Sequence, residues 1–148
     1  VVGRATAAKL LPLHAVLPYM IEAESGSCMF VTSEGGRVPT AGQTTVALYA
    51  GGLVMATKVI AKEMARHKVR INCIAVTLIG ESPSWDAFEG KIEMTDLHRA
   101  QYARIQQRAP LGIANPDDIA GVATFLASED SAYLTGSTLS PTGGLTFH

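Results

Sequence analysis

Two cysteines, one tryptophan and no run of lysine or arginine in 148 residues exclude several classes of protein. Cys28 and Cys73 each sit inside apolar, strand-like runs, which suits buried reduced thiols and predicts neither a disulfide framework nor a metal site. The four histidines His14, His67, His98 and His148 are scattered, without ligand spacing, and read as surface or cap residues. A net charge of -1 and a pI near 6.5, with no basic cluster, leave no electrostatic footprint for nucleic acid or an anionic membrane. No uninterrupted apolar run approaches the roughly 20 residues of a membrane helix. The N-terminus VVGRATAAKLLPLH lacks the apolar core and cleavage site of a secretion signal. The chain therefore reads as cytoplasmic, without nucleic-acid or membrane partners. Its hydrophobic share of 47% and charged share of 17% suit one domain with a real core.

Apolar residues recur at helical spacing from Ala5 to Glu22, with Pro12 and Pro18 as expected points of distortion and exit. SCMFVTS (27–33) and VRINCIAV (69–76) are β-branched and aromatic runs that read as buried strands. Between them, EGGRVPTAGQ is a loop by composition and Thr44 to His67 a long helix with basic residues at its end. Strand, helix, strand favours a parallel pair joined by a right-handed crossover, hence an α/β class. Residues 77–96 are polar and weakly periodic, and are expected to form an irregular lid-like segment. A helix follows from about Leu97 to Arg108. Asn115, Pro116 and two aspartates mark the start of another, and YLTGSTLSPTGG predicts a turn and a short last strand.

Three segments carry a family resemblance: GSCMFVTSEGGRVP, LVMATKVIAKEMARHKVRINCIA and PLGIANPDDIAGVATFLASEDSAYLTGSTLSPTGG. In order and spacing they resemble the C-terminal half of the short-chain dehydrogenase/reductase family. The resemblance implies a Rossmann-type doubly wound parallel sheet, of which residues 1–148 form a single partial domain holding the later strands and helices. The N-terminal dinucleotide-binding half, roughly 100 residues in such proteins, is expected to lie outside this sequence. The family moves hydride between NAD or NADP and an alcohol or carbonyl with an Asn, Ser, Tyr, Lys set. The lysine lowers the phenol pKa so that the tyrosine can exchange a proton near neutral pH.

The family spacing tests that set. Ser33 aligns with the serine; thirteen positions on, where the tyrosine belongs, stands Val46. Twenty-two positions before Asn72, where the lysine belongs, stands Ala50. These two anchors agree, because tyrosine and lysine must be four residues apart on one helix face. The asparagine position falls near Ala5, so Ser33 alone survives. Tyr49 is not the catalytic tyrosine, and is expected to be a helix-surface aromatic packed at an interface or on the lid. Its partner four residues on is Leu53, which leaves the phenol near its ordinary value of about 10.

On the cofactor side, the Pro-Gly turn that resemblance places after the NxIA strand is replaced by Val76 and Thr77, followed by Leu78-Ile79. Gly35, Gly36 and Gly42 follow a later strand and lack phosphate-loop spacing. No bound cofactor is expected, although the family's would be NAD or NADP. Ser33 itself is equally placed to satisfy turn backbone.

Gly51 and Gly52 each cost on the order of 1 kcal/mol in a helix, which implies a close approach by another backbone. The corresponding family helix packs on a second subunit, so Ala47, Gly51 and Val54 are expected in a subunit contact. The resemblance thus implies a non-catalytic structural or regulatory subunit in a homo- or hetero-oligomer, beside an active NAD-dependent dehydrogenase. Such loss patterns occur in heteromeric dehydrogenases of β-hydroxyacyl-CoA thioesters. The alternative is an oxidoreductase or scaffold-derived enzyme with a non-standard site around Ser33 and lid carboxylates such as Glu81, Asp86 or Glu89.

Overall fold

The computed structural model describes residues 1–90 and 93–147. Residues 91 and 92 of the lid-like segment, and His148, lie outside the described residues. Helix α1 spans Val2–Glu22, strand β1 Gly26–Ser33, helix α2 Thr44–Met64 and strand β2 Val69–Val76. Helices α3 (Pro83–Phe88), α4 (Asp96–Arg108) and α5 (Pro116–Ala127) follow, and then strand β3 (Thr138–Leu139).

The sheet runs β1-β2-β3, all parallel, with Gly26 opposite Val69 through Ser33 opposite Val76, and Cys73 opposite Thr138. Alternation along β2 decides the layering, because successive side chains point to opposite faces. Val69, Ile71 and Cys73 join Phe30, Leu13, Leu53 and Ala61 in a core beneath α1 and α2. Ile74 faces the other way and packs with Ile119 and Leu126 of α5. Helices on both faces of a parallel sheet make the doubly wound α/β arrangement the sequence implies.

Helix α1 starts at Val2 and runs through both prolines to Glu22, past the exit expected at Pro18. Packing accounts for it: Leu13 is buried, and Leu10, Leu17 and Met20 close on the same core, offsetting the lost backbone bonds. At α5 the local signal and the structure agree. Asn115 accepts from the Asp118 amide at 3.0 Å and the Asp118 carboxylate accepts from the Asn115 amide at 2.8 Å, a complete capping box behind Pro116. The carboxyl end of α5 is closed by side chains from the sheet. Arg70 donates to the carbonyls of Leu126 at 2.9 Å and Ser128 at 3.1 Å, and Ser27 Oγ to Leu126 at 2.7 Å.

The segment expected to be irregular contains a helix of its own. Ser82 caps α3, accepting from the Trp85 amide at 3.2 Å with Pro83 in the first turn, a Ser-Pro start signal present in the sequence. Helix α2 and its 3₁₀ end also differ from the expectation drawn from unbroken apolar runs. Thr44–His67, 24 residues with mean hydropathy 1.4, is long and apolar enough to cross a membrane by length and composition alone. Core helices pass the same test, and Ala50, Leu53, Thr57 and Ala61 of α2 are buried in this fold. Its opposite side leaves Leu48, Met55 and Val59 exposed.

Candidate functional site

A cleft of about 790 Å³ opens at the carboxyl ends of β1 and β2, where ligands bind in doubly wound sheets. Ser33 ends β1, Val76 and Thr77 follow β2, and Val46 and Tyr49 project from the start of α2; all five line the cleft. Helix α4 roofs it. Gln101 Nε2 of α4 donates to the Ala41 carbonyl, and a methyl group at Gly42 would fall 3.1 Å from Leu97.

Ser33 and Val46 come together around Gly35, where a methyl would lie 3.4 Å from Ser33 Oγ and 3.3 Å from Val46 Cγ1. Ser33 Oγ accepts a hydrogen bond from the Gly35 amide at 3.1 Å, capping the 3₁₀ turn Glu34–Gly36. The hydroxyl therefore serves backbone while it borders the cleft. Ala50 is absent from the cleft wall and fully buried. It lies under Gly36, whose added methyl would meet the Ala50 carbonyl carbon and the Gly51 nitrogen at 2.5 Å. Ala5 is half-buried on α1 and does not line the cleft.

Tyr49 is half-buried, packed on the core beneath α1 and α2 as well as lining the cleft, rather than standing on the helix surface. The close backbone approach implied by Gly51 is made within the chain, since a methyl there would sit 3.1 Å from the Gly36 carbonyl oxygen. Val54 packs on the same core, and Ala47 is exposed. The lid carboxylates do not converge on Ser33: Glu81 and Glu89 are exposed, Asp86 is half-buried, and only Ser84 of α3 reaches the cleft.

Sequence reasoning missed Glu34, the one carboxylate on the wall, which is 3% exposed and accepts from Ser140 Oγ at 2.9 Å. Arg37 in turn donates to Ser140 Oγ at 2.6 Å. It also missed Lys9, Arg104 and Arg108, which line the cleft from α1 and α4. No spacing motif joins residues so far apart. Both thiols are free; burial pushes Cys73 up, against weaker lowering by the Thr57 and Thr138 hydroxyls, and pushes half-buried Cys28 up as well. Among the described residues no three His, Cys, Asp or Glu side chains form a group able to hold a metal ion.

A parallel sheet covered on both faces, with its cleft at the strands' carboxyl ends, defines a Rossmann-type α/β protein. Residues 6–146 match the family described as Enoyl-(Acyl carrier protein) reductase. The chain is 37% identical over 134 residues to 3-oxoacyl-[acyl-carrier-protein] reductase FabG of Chlamydia pneumoniae, covering 90% of this chain and 50% of that protein. It is 34% identical over 121 residues to (3R)-3-hydroxyacyl-CoA dehydrogenase of Homo sapiens, covering 81% and 42%. The crystal structure of YwfH, an NADPH-dependent reductase involved in bacilysin biosynthesis, superposes with a TM-score of 0.81 at 23% identity, covering 97% of this chain and 56% of that one. The chain belongs to the short-chain dehydrogenase/reductase family, a family of NAD(P)-dependent oxidoreductases, and spans about half the length of the curated relatives it matches.

Proposed function

We propose that this chain is a non-catalytic member of the family, acting as a structural or regulatory subunit beside an active NAD-dependent dehydrogenase of acyl thioesters in the cytoplasm. One observation carries the reading: Val46 and Ala50 stand at the tyrosine and lysine positions, and the space a lysine side chain needs is filled by Gly36. Proton exchange with a carbonyl oxygen needs a phenol whose pKa a nearby cation lowers. Tyr49 on the cleft wall has no such cation at its i+4 position, which is Leu53.

On this reading residues 1–148 hold no nicotinamide cofactor, because Val76 and Thr77 replace the rigid turn that would meet the amide. NAD or NADP belongs to the active partner. Assembly is supported by the apolar face that α2 leaves open at Leu48, Met55 and Val59 and α1 at Leu11 and Tyr19. Partners are family subunits, of this chain or of an active homologue, and neither nucleic acid nor membrane.

The test is hydride transfer. The purified protein is mixed with NADH or NADPH and a 3-oxoacyl thioester, and nucleotide binding is followed by calorimetry in parallel. No oxidation of nucleotide and no stoichiometric binding are expected, with an active family homologue co-purifying from the source. Turnover that depends on Ser33 would instead establish an enzyme with a non-standard site.

A further inference from the structure

We infer that the cleft binds an amphipathic anion, with its acidic head at Lys9, Arg104 and Arg108 and its apolar body against Val46, Leu97 and Ile105. All six residues line the one cleft. The whole chain carries 12 Lys and Arg against 13 Asp and Glu, yet the wall has three cations and a single carboxylate. That carboxylate, Glu34, is turned into the fold, 3% exposed and hydrogen-bonded by Ser140 at 2.9 Å. It cannot neutralise cations at the mouth. Among the described residues the one ion pair is Lys68 with Glu24, on the far side of the sheet's starting edge, so none of the three cleft cations is paired.

Arg104 and Arg108 are four residues apart on α4 and so stand about 6 Å from each other on one stripe, where like charges repel. The negative end of the helix dipole relieves that repulsion in part. It does nothing for Lys9, which comes from the middle of α1 and meets them across the cleft. Convergence of cations from two elements on a partly apolar cavity is what an anionic, chain-bearing ligand requires. The floor adds a polar atom: the Thr32 hydroxyl, on a residue 6% exposed, has no hydrogen-bond partner among the described residues.

Carboxylate and phosphate heads share this chemistry, and the experiment separates them. Decanoate, decyl phosphate and decanol are titrated into the purified chain. Binding is read by calorimetry and by fluorescence of Trp85, the only tryptophan. Trp85 reports on the wall because its ring lies 5.3 Å from Phe88, whose ring lies 5.6 Å from that of cleft-lining Tyr102. One or both anions should bind at least about tenfold tighter than decanol, the scale of a charge-assisted hydrogen bond. Added salt should weaken that binding, and the tighter anion identifies the head group. Arg104→Gln with Arg108→Gln, and separately Lys9→Gln, alter exposed residues and should each remove most of the preference while circular dichroism stays unchanged. Equal binding of decanol and both anions, no binding of any, or full preference in all variants would overturn the assignment. The inference does not depend on catalytic inactivity: oxidation of nucleotide would overturn the subunit reading and leave the anion site standing.

Discussion

Gly36 lies directly on Ala50, so close that a methyl group on the glycine would fall 2.8 Å from the alanine Cβ and 2.5 Å from its carbonyl carbon. Absence of side chains on both partners holds the turn after β1 against α2. The cleft wall and the helix that carries Val46 are thereby joined.

Gly36→Ala should destabilise the chain by about 1–3 kcal/mol, the usual cost of overpacking, because the obstructing atoms are backbone. Gly52→Ala provides the contrast. Nothing lies within 4 Å of its added methyl and the residue is exposed in mid-helix, so a gain of about 0.5–1 kcal/mol is expected. Urea denaturation of both variants checks the pair; equal and small effects would remove the close approach.

Val46→Tyr combined with Ala50→Lys should give no dehydrogenase and a less stable protein. The ammonium would be buried without a partner carboxylate, at a cost of about 3 kcal/mol or more. Val46→Tyr alone, at a half-buried cleft position, should be tolerated. Thermal melting of the single and double variants distinguishes the two positions, and hydride transfer by the double variant would contradict the prediction.

Arg70→Met should lower stability by about 2–3 kcal/mol, since its guanidinium makes charge-assisted bonds to the Leu126 and Ser128 carbonyls and to Ser131 Oγ at 2.8 Å. Loss of helix signal at the end of α5, read by hydrogen exchange from Phe125 to Ser128, should accompany it. An unchanged denaturation midpoint would mean that water replaces the arginine without cost.

Burial raises the Cys73 thiol above its ordinary value, so folding favours the neutral form. Its contribution is fully present below the unfolded thiol's value of about 8.5 and is lost as pH rises through the higher folded value. The stability difference between the natural protein and Cys73→Ala should therefore shrink as pH climbs from 8.5 upward. Denaturation at a series of alkaline pH values measures it; a difference that grows with pH would reverse the sign.

What the sequence made legible was local or periodic. Strands at SCMFVTS and VRINCIAV, the capping box at Asn115 and Asp118, and the spacing from Ser33 to Val46 and Ala50 all follow from neighbours along the chain. Helix α1 ran past Pro18 because packing of Leu13, Leu17 and Met20 outweighed a local penalty. Gly51 was read as a subunit contact because a glycine implies a neighbouring backbone without saying whose; that backbone is Gly36, fifteen residues earlier. Lys9 and Arg104 share no pattern in sequence, and only the placement of α4 over the loop before α2 brings them to one cavity.

Strand β3 has only two residues, yet the chain leading to it is fixed from the side by Asn72. Its buried amide donates to the Leu134 carbonyl at 2.9 Å and accepts from the Ser137 amide at 3.1 Å. A side chain thus supplies rungs that a longer strand would have drawn from backbone. The Gly136 amide adds a bond to Ile71 at 2.8 Å and the Cys73 amide one to Ser137 at 2.9 Å. Amide protons at Gly136 and Ser137 should consequently exchange with solvent only when β2 itself opens. In kinetic terms this irregular stretch belongs to the slowest-opening unit of the molecule.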